Sequence, residues 1–142
     1  LHDIGRLVLA TQFNSAYAGV AEVLARHDDP VSAEREVLGT DHVEAGALVA
    51  AHWRFPAPVV AALLGHHAPT AADDGKASLA DLLHVADAAV HALDLAGAEA
   101  ESVPLVDAAS WQRAGVPDKE WLAIFAATES GVATLAAALG LA

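Results

Sequence analysis

Apolar residues recur along this chain at spacings of three and four positions, the repeat of one face of an α-helix. No stretch bounded by turn residues alternates strictly between apolar and polar side chains, as a half-buried strand would. Prolines, glycines and short polar stretches divide the repeat into pieces of helical length. The sequence therefore predicts an all-α fold, arranged as a single helical bundle.

Capping residues place the boundaries of the predicted helices. The expected spans are 16–27, 32–38, 41–54, 56–66, 79–95, 119–127 and 130–139. Thr40 and Ser78 are the expected N-caps of the helices that follow them, and Asp118 is the expected cap of the first C-terminal helix. Residues 97–118 are predicted to be irregular.

Composition limits the size of the domain and its partners. With 142 residues, 55% of them hydrophobic, the chain is long enough for one domain with a sizeable core. Aromatic residues make up only 5%, so that core is expected to be mostly Ala, Val and Leu, which let helices approach closely. The net charge of −12, with only 7 Lys and Arg, argues against the basic surface that nucleic acids and acidic membranes require.

Cysteine usage and hydropathy bear on location. The chain has no cysteine, hence neither a disulfide framework nor a thiolate metal site, which favours a cytoplasmic location. The longest apolar runs, 57–65 and 131–142, are shorter than the roughly 20 residues of a membrane-spanning helix. We therefore expect no membrane partner.

Histidine and aspartate residues stand along the chain in an order that suits a metal centre. They are His2, Asp3, His42, His66, His67 and Asp87. Imidazoles and carboxylates together bind Fe, Mn, Zn or Ni, and a carboxylate that bridges two ions commonly holds binuclear hydrolytic sites together. Each element alone is a weak signal, because a His-Asp pair is common and a histidine on an apolar helix is usually a core residue. The complete order is much rarer by chance.

Five short sequence motifs contain these residues or lie between them. They read Leu1-His2-Asp3-Ile4-Gly5-Arg6-Leu7-Val8-Leu9, Glu36-Val37-Leu38-Gly39-Thr40-Asp41-His42-Val43-Glu44-Ala45-Gly46-Ala47-Leu48, Trp53-Arg54-Phe55-Pro56, His66-His67-Ala68-Pro69 and Leu83-His84-Val85-Ala86-Asp87. In this order they resemble the HD superfamily, and more narrowly its HDOD branch, the HD-related output domain of bacterial signalling proteins. The Leu-Gly-Thr-Asp-His and Trp-x-x-Pro motifs are typical of HDOD in particular. The resemblance identifies residues 1–142 as the C-terminal portion of an HDOD domain, whose upstream helices are expected to lie outside the chain.

The resemblance implies a bundle of the HD-domain type with a metal site between its helices. The implied ligands are His2, Asp3, His42, His66, His67 and Asp87, with at least one of the paired histidines taking part. A divalent metal (Fe, Mn, Zn, Ni or Mg) is the implied cofactor, weakly held or absent, because an upstream ligand of the family is expected to lie outside the chain. The implied partner is a signalling protein or an attached regulatory domain, contacted through the helical surface.

Structural roles compete with metal ligation at these positions. His2 and Asp3 can pair with each other or cap a helix. Protonated histidines are favoured at a helix C-terminus without any metal, which applies to His66 and His67. The sequence leaves both interpretations open.

The helix 79–95 carries three polar side chains on one stripe. His84, Asp87 and His91 fall at positions i, i+3 and i+7. Only Asp87 matches a ligand position of the family. The two histidines are expected to hydrogen-bond to neighbours or to face a partner.

Two functions follow from these observations. One is a signalling output or scaffold domain without catalysis, and the other is a metal-dependent phosphohydrolase in which a metal-bound water attacks a phosphate ester. The signalling function is favoured, because the related HD-GYP cyclic dinucleotide phosphodiesterases carry a Gly-Tyr-Pro motif after the paired histidines. This motif does not follow the paired histidines here. Arg6 stands where HD enzymes often carry Lys, so a phosphate contact stays open, and no catalytic residue is assigned.

Overall fold

The computed structural model describes residues 1–27, 29–72, 74–95 and 103–141. Within these ranges the chain forms eight helices and no strand, which confirms the all-α prediction. The helices are α1 (Ile4–Phe13), α2 (Ala18–His27), α3 (Pro30–Leu38), α4 (His42–His52), α5 (Ala57–Gly65), α6 (Leu79–Ala92), α7 (Ala108–Ala114) and α8 (Asp118–Ala138). Close packing joins α2 to α3, α4 to α5, α5 to α6 and α6 to α7, and it also brings α1 against α4.

Side-chain caps begin several of these helices. Asp29 caps α3 by accepting hydrogen bonds from two backbone N–H groups, and Pro30 is the first helical residue. The prediction that Ser32 opens this helix is wrong, because the ring of Pro30 already holds a helical φ and Asp29 satisfies the first N–H groups. Ser78 caps α6, as predicted, and the structure adds that it does so in a capping box with Asp81.

The cap of α4 is Asp41 and not Thr40. The Asp41 carboxylate is fully buried, accepts a hydrogen bond from the backbone N–H of Glu44 at 2.9 Å and contacts the guanidinium of Arg35 at 2.6 Å. A carboxylate is favoured at this position because its charge also complements the helix dipole. His42 is the first residue of α4, in the first turn as predicted.

The C-terminal third of the chain departs from prediction in two places. The stretch 97–118, expected to be irregular, contains α7, which Asp107 caps and which is only 7 residues long, too short for an apolar repeat to show. α8 is one continuous helix instead of two, because a single glycine such as Gly131 costs a helix interior only about 1 kcal/mol. Asp118 is the first residue of α8, and Pro117 takes the cap position.

The buried hydrophobic side chains are all Ala, Val or Leu, as the composition predicts. Val20, Val23 and Ala33 close α2 against α3. The small side chains let backbones touch: a Cβ built on Gly5 of α1 would lie 1.9 Å from the backbone oxygen of His42 in α4. Only glycine fits at this crossing, which holds the start of α1 against the first turn of α4.

α8 has no buried residue. Its Trp121 stacks on Trp111 of α7 with ring centroids 4.6 Å apart, while Leu122, Leu135 and Leu139 are 80%, 61% and 63% exposed. Within the described ranges, α8 is the helix whose length and composition would suffice to cross a membrane. The uninterrupted apolar run in the sequence is shorter than α8, because Glu129 interrupts it inside the helix.

Candidate metal centre

Asp3 lies in a group of four side chains that come from three parts of the fold. One potential ligand atom from each of Asp3, His42, His66 and His67 lies within 4.8 Å of the others. Asp3 directly precedes α1, His42 begins α4, and the paired histidines follow α5. Because Gly5 brings α1 into backbone contact with His42, the carboxylate two residues earlier reaches the histidines.

The two oxygens of the Asp3 carboxylate face different neighbours. Oδ1 lies 3.5 Å from His42 Nε2 and 3.6 Å from His66 Nε2. Oδ2 lies 3.3 Å from Arg6 Nε and 3.5 Å from His2 Nε2. Burial acts to raise the pKa of Asp3, but its polar neighbours, the positive charge of Arg6 among them, outweigh it and hold the pKa well below its usual range. The carboxylate is therefore ionised at neutral pH.

Glu34 of α3 orients the ring of His42. One oxygen, Oε2, accepts hydrogen bonds from the backbone N–H of His42 at 2.7 Å and from its Nδ1 at 2.6 Å, and both side chains are buried. Since an ionised carboxylate only accepts, Nδ1 carries the hydrogen, and when the ring is neutral its Nε2 presents a lone pair towards Asp3. A carboxylate behind a histidine in this way is the usual outer partner of a metal ligand.

The paired histidines complete the inner group. His66 Nδ1 donates to the backbone carbonyl of Leu63 at 2.7 Å, so when the ring is neutral its Nε2 is again a lone pair. His67 Nε2 lies 2.9 Å from His42 Nε2. Burial, together with the neighbouring histidines, lowers the pKa of His67 to about 4, so this ring is neutral at pH 7 and able to bind a metal.

His2 and Asp87 form an outer pair beside this group. His2 Nε2 lies 3.2 Å from Asp87 Oδ1, and Asp87, on α6, also lies 3.8 Å from His91 Nε2. The hydrogen bond to Asp87 raises the pKa of His2, against the opposing effect of burial. The predicted ligands therefore lie together, but His2 and Asp87 satisfy each other, and their ligation of a metal stays a prediction.

The inner group fits a divalent cation. Asp3 Oδ1 and His66 Nε2 are both buried acceptors, lie 3.6 Å apart and have no hydrogen-bond partner among the described residues. Leaving a buried acceptor unpaired is costly, and a divalent cation between two acceptors that face each other would pair both of them. One carboxylate and three imidazoles form a donor set that suits Fe, Zn or Ni better than Mg.

A cavity of about 230 Å³ opens beside the group. Arg6, His67, Asp87 and His91 supply polar lining, and Leu24, Pro30, Val103, Pro104 and Leu105 are among the apolar residues of its wall. A small molecule could therefore approach the candidate centre from this side.

Sequence reasoning missed Glu34. A single glutamate in a helix with several charged residues is normally predicted to face solvent, yet Glu34 is only 1% exposed. The available signal was its spacing, because Val37 and Leu38 follow at i+3 and i+4 and place Glu34 on the apolar face of α3.

Comparison with known families gives a match over part of the chain. The HDOD domain family model matches residues 1–69. This match supports an HDOD-type domain. The HDOD match contains His2, Asp3, His42 and both paired histidines, and it ends two residues after them, whereas Asp87 lies beyond it. No curated protein and no solved structure matches the chain.

Proposed function

We propose that this chain is a metal-binding domain of the HDOD type that serves bacterial signal transduction as an output or scaffold module and does not catalyse a reaction. The observation that carries the metal part is the facing pair of buried acceptors, Asp3 Oδ1 and His66 Nε2. A divalent cation held there would cross-link the starts of α1 and α4 to the end of α5. The three imidazoles favour Fe, Zn or Ni, with Mn also open.

The surroundings of the site favour a non-catalytic role. Among the described residues that line the cavity, Arg6 is the one Lys or Arg, and its Nε already lies 3.3 Å from Asp3 Oδ2. Enzymes that transfer phosphoryl groups usually clamp them with several positive groups, and the proposed metal and Arg6 would be fewer than such enzymes usually supply. The net charge of −12 also repels polyanionic substrates such as cyclic dinucleotides at long range.

Exposed apolar surface supports a protein partner. α8 exposes Leu122 and Leu135, and a second apolar patch, formed by α1, α4 and the residue after α4, exposes Leu48 and Trp53 at 73% and 54%. Contiguous exposed apolar surface commonly marks protein interaction sites. Glu129 lies near the middle of α8, where a charge opposes membrane insertion. We therefore infer a cytoplasmic domain whose partner is a signalling protein or an attached regulatory domain, with no role for nucleic acid or membrane.

The alternative function is a metal-dependent phosphohydrolase or phosphodiesterase of the HD superfamily. One observation favours it, namely the cavity of about 230 Å³ that gives a small molecule access to His67 and Asp87. Both functions include a bound metal, and they differ in whether the protein catalyses a reaction.

Metal content and turnover can be measured on the same preparations. Protein purified without chelator is analysed for metals and then titrated with Mn²⁺, Fe²⁺ and Zn²⁺, comparing the parent with Asp3→Ala and with His52→Ala, a control that removes an exposed histidine outside the group. The proposal expects binding by the parent and the control, and none by Asp3→Ala. A parent that binds none of these ions overturns the metal part.

The same proteins are then assayed with Mn²⁺ and Fe²⁺ against cyclic dinucleotides and a generic phosphodiester. The proposal expects no metal-stimulated turnover by the parent. Clear turnover by the parent that is lost in a folded Asp3→Ala protein would establish the hydrolase instead.

A further inference from the structure

His84 of α6 joins the paired histidines to α7. Its buried ring places Nδ1 2.7 Å from the backbone oxygen of His66 and Nε2 3.0 Å from the backbone nitrogen of Asp107. A carbonyl only accepts and a peptide N–H only donates, so the ring satisfies both partners only as the neutral tautomer with hydrogen on Nδ1. Of the two roles that the sequence left open for His84, hydrogen bonding to neighbours or facing a partner, the structure shows the hydrogen bonds.

The carbonyl that His84 holds belongs to the peptide between His66 and His67. The orientation of this peptide sets the direction in which both histidine side chains leave the backbone, because its rotation changes ψ of the first residue and φ of the second. The ring of His66 is fixed separately through Leu63. His84 therefore acts on the paired histidines through their shared backbone.

The other end of this connection is anchored in α7. The Asp107 carboxylate caps α7 by accepting a hydrogen bond from the backbone N–H of Ser110 at 2.7 Å. Arg113, in the last turn of α7, reaches across to both oxygens of Asp81 on α6, at 2.5 and 3.1 Å. The backbone N–H of Asp107 is thus held in place only while α7 is docked on α6.

We propose that His84 is a positioning residue that couples the docking of α7 to the geometry of the metal group. This rests on the proposed metal binding. A partner that draws residues 103–107 or α7 away from α6 breaks the hydrogen bond at His84 Nε2, frees the His66–His67 peptide and weakens metal binding. Such a partner could bind residues 103–107 directly, because Val103 and Leu105 are 52% and 94% exposed. By linkage, metal binding in turn strengthens the docking of α7.

Two substitutions at Asp107 separate this hydrogen bond from the helix cap. Asp107 has a φ of −61°, which proline also adopts, so Asp107→Pro removes the N–H without straining φ. Asp107→Ala keeps the N–H, and both variants lose the capping carboxylate. The probe is Co²⁺, whose visible spectrum reports on the arrangement of its ligands. We expect Asp107→Pro to bind Co²⁺ about tenfold more weakly than Asp107→Ala and to show a changed visible spectrum. A tenfold loss is the lower end of the loss in metal affinity that follows when a partner behind the ligands is removed.

His84→Leu removes both hydrogen bonds and should bind Co²⁺ at least as weakly as Asp107→Pro. The Asp107 pair keeps the test decisive if His84→Leu does not fold. Equal Co²⁺ affinities and spectra for the two Asp107 variants overturn the coupling when the parent binds Co²⁺. A parent that binds neither Co²⁺ nor any of the ions titrated above overturns the metal part of the proposed function, and the coupling with it.

A metal-free measurement checks the hydrogen bonds independently. Long-range ¹H–¹⁵N NMR spectra of the parent should show the His84 ring with hydrogen on Nδ1. A ring with hydrogen on Nε2 contradicts both hydrogen bonds and overturns the coupling, whatever the metal affinities are.

Discussion

Replacing Gly5 by alanine should force α1 away from α4. The new Cβ would lie 1.9 Å from the backbone oxygen of His42 and 2.7 Å from the backbone nitrogen of Gly46. Ordinary contact begins at 3.4 Å, so relief of the first clash, 3.4 minus 1.9, requires a displacement of about 1.5 Å. The obstacle is helical backbone, which cannot rotate away as a flexible side chain could.

The free energies involved have opposite signs. Alanine is favoured over glycine in a helix by about 0.5 to 1 kcal/mol. Overpacking a close contact typically costs about 1 to 3 kcal/mol, and sometimes more. Because both obstacles here are backbone atoms, we expect the upper end of that cost, and a net loss of about 2 kcal/mol in the free energy of unfolding of Gly5→Ala.

Gly46→Ala is the matched control on the facing helix. Its Cβ would lie 3.4 Å from the nitrogen of Gly5 and 3.6 Å from the backbone oxygen of His2, which is ordinary contact. It should therefore keep or slightly increase stability, through helix propensity alone. Urea denaturation of the parent and both variants measures the difference, and Gly5→Ala should also lose metal affinity, since Asp3 moves with α1. Equal stability of the two variants would refute the backbone contact.

Three further predictions concern the polar groups around the site. Glu34→Gln keeps an acceptor for the buried N–H groups of His42 but removes the charge, so metal affinity should fall about 10- to 100-fold in a calorimetric titration, while Glu34→Ala should also unfold more easily. The Arg113 guanidinium holds the pKa of Asp81 in the folded protein well below its ordinary value of 3.8. The ionised carboxylate therefore stabilises the fold fully above pH 3.8, and this stabilisation is lost as the pH falls through the pKa of the folded state. Asp81→Asn should therefore be less stable than the parent at pH 7 by thermal denaturation, with a gap that narrows below pH 3.8. Saturation with a binding metal at 100 times its Kd should raise the free energy of unfolding by about 2.7 kcal/mol, and an unchanged melting temperature would contradict binding.

Much of the fold was predictable because its signals are local. The apolar repeat and the Ser78 cap depend on residues a few positions apart, and the structure agrees with both. The errors arose where a local signal was weak or tertiary contacts decided. α7 was missed because a seven-residue helix has no apolar repeat, although Asp107 and its bond to Ser110 define its start.

Four of the six predicted ligands lie together in the structure, but the sequence did not predict their arrangement. The order of histidines and aspartates named the residues, and the structure brings Asp3, His42 and the paired histidines together. The sequence could not show that His2 turns towards Asp87, because that choice depends on how α1 and α6 approach each other. It could not show the backbone contact of Gly5 either, since a missing side chain leaves no pattern to read.

The packing of α1 on α4 also sets the order in which the chain can assemble. Other closely packed helix pairs follow each other along the chain, whereas α2 and α3 separate α1 from α4 and close their own small core around Val23. Local contacts form at a lower entropic cost than contacts across a long loop. We therefore expect α1 to dock late, after α2 and α3 have paired and α4 has formed.

Refolding kinetics measure this order of assembly. Leu9→Ala in α1 should give a φ-value near zero and mainly accelerate unfolding, whereas Val23→Ala in α2 should give a higher φ-value. Asp3 would then reach the three histidines only at the end of folding. A metal ion would be captured by an almost finished domain, and metal added at the start of refolding should leave the folding rate unchanged while slowing unfolding.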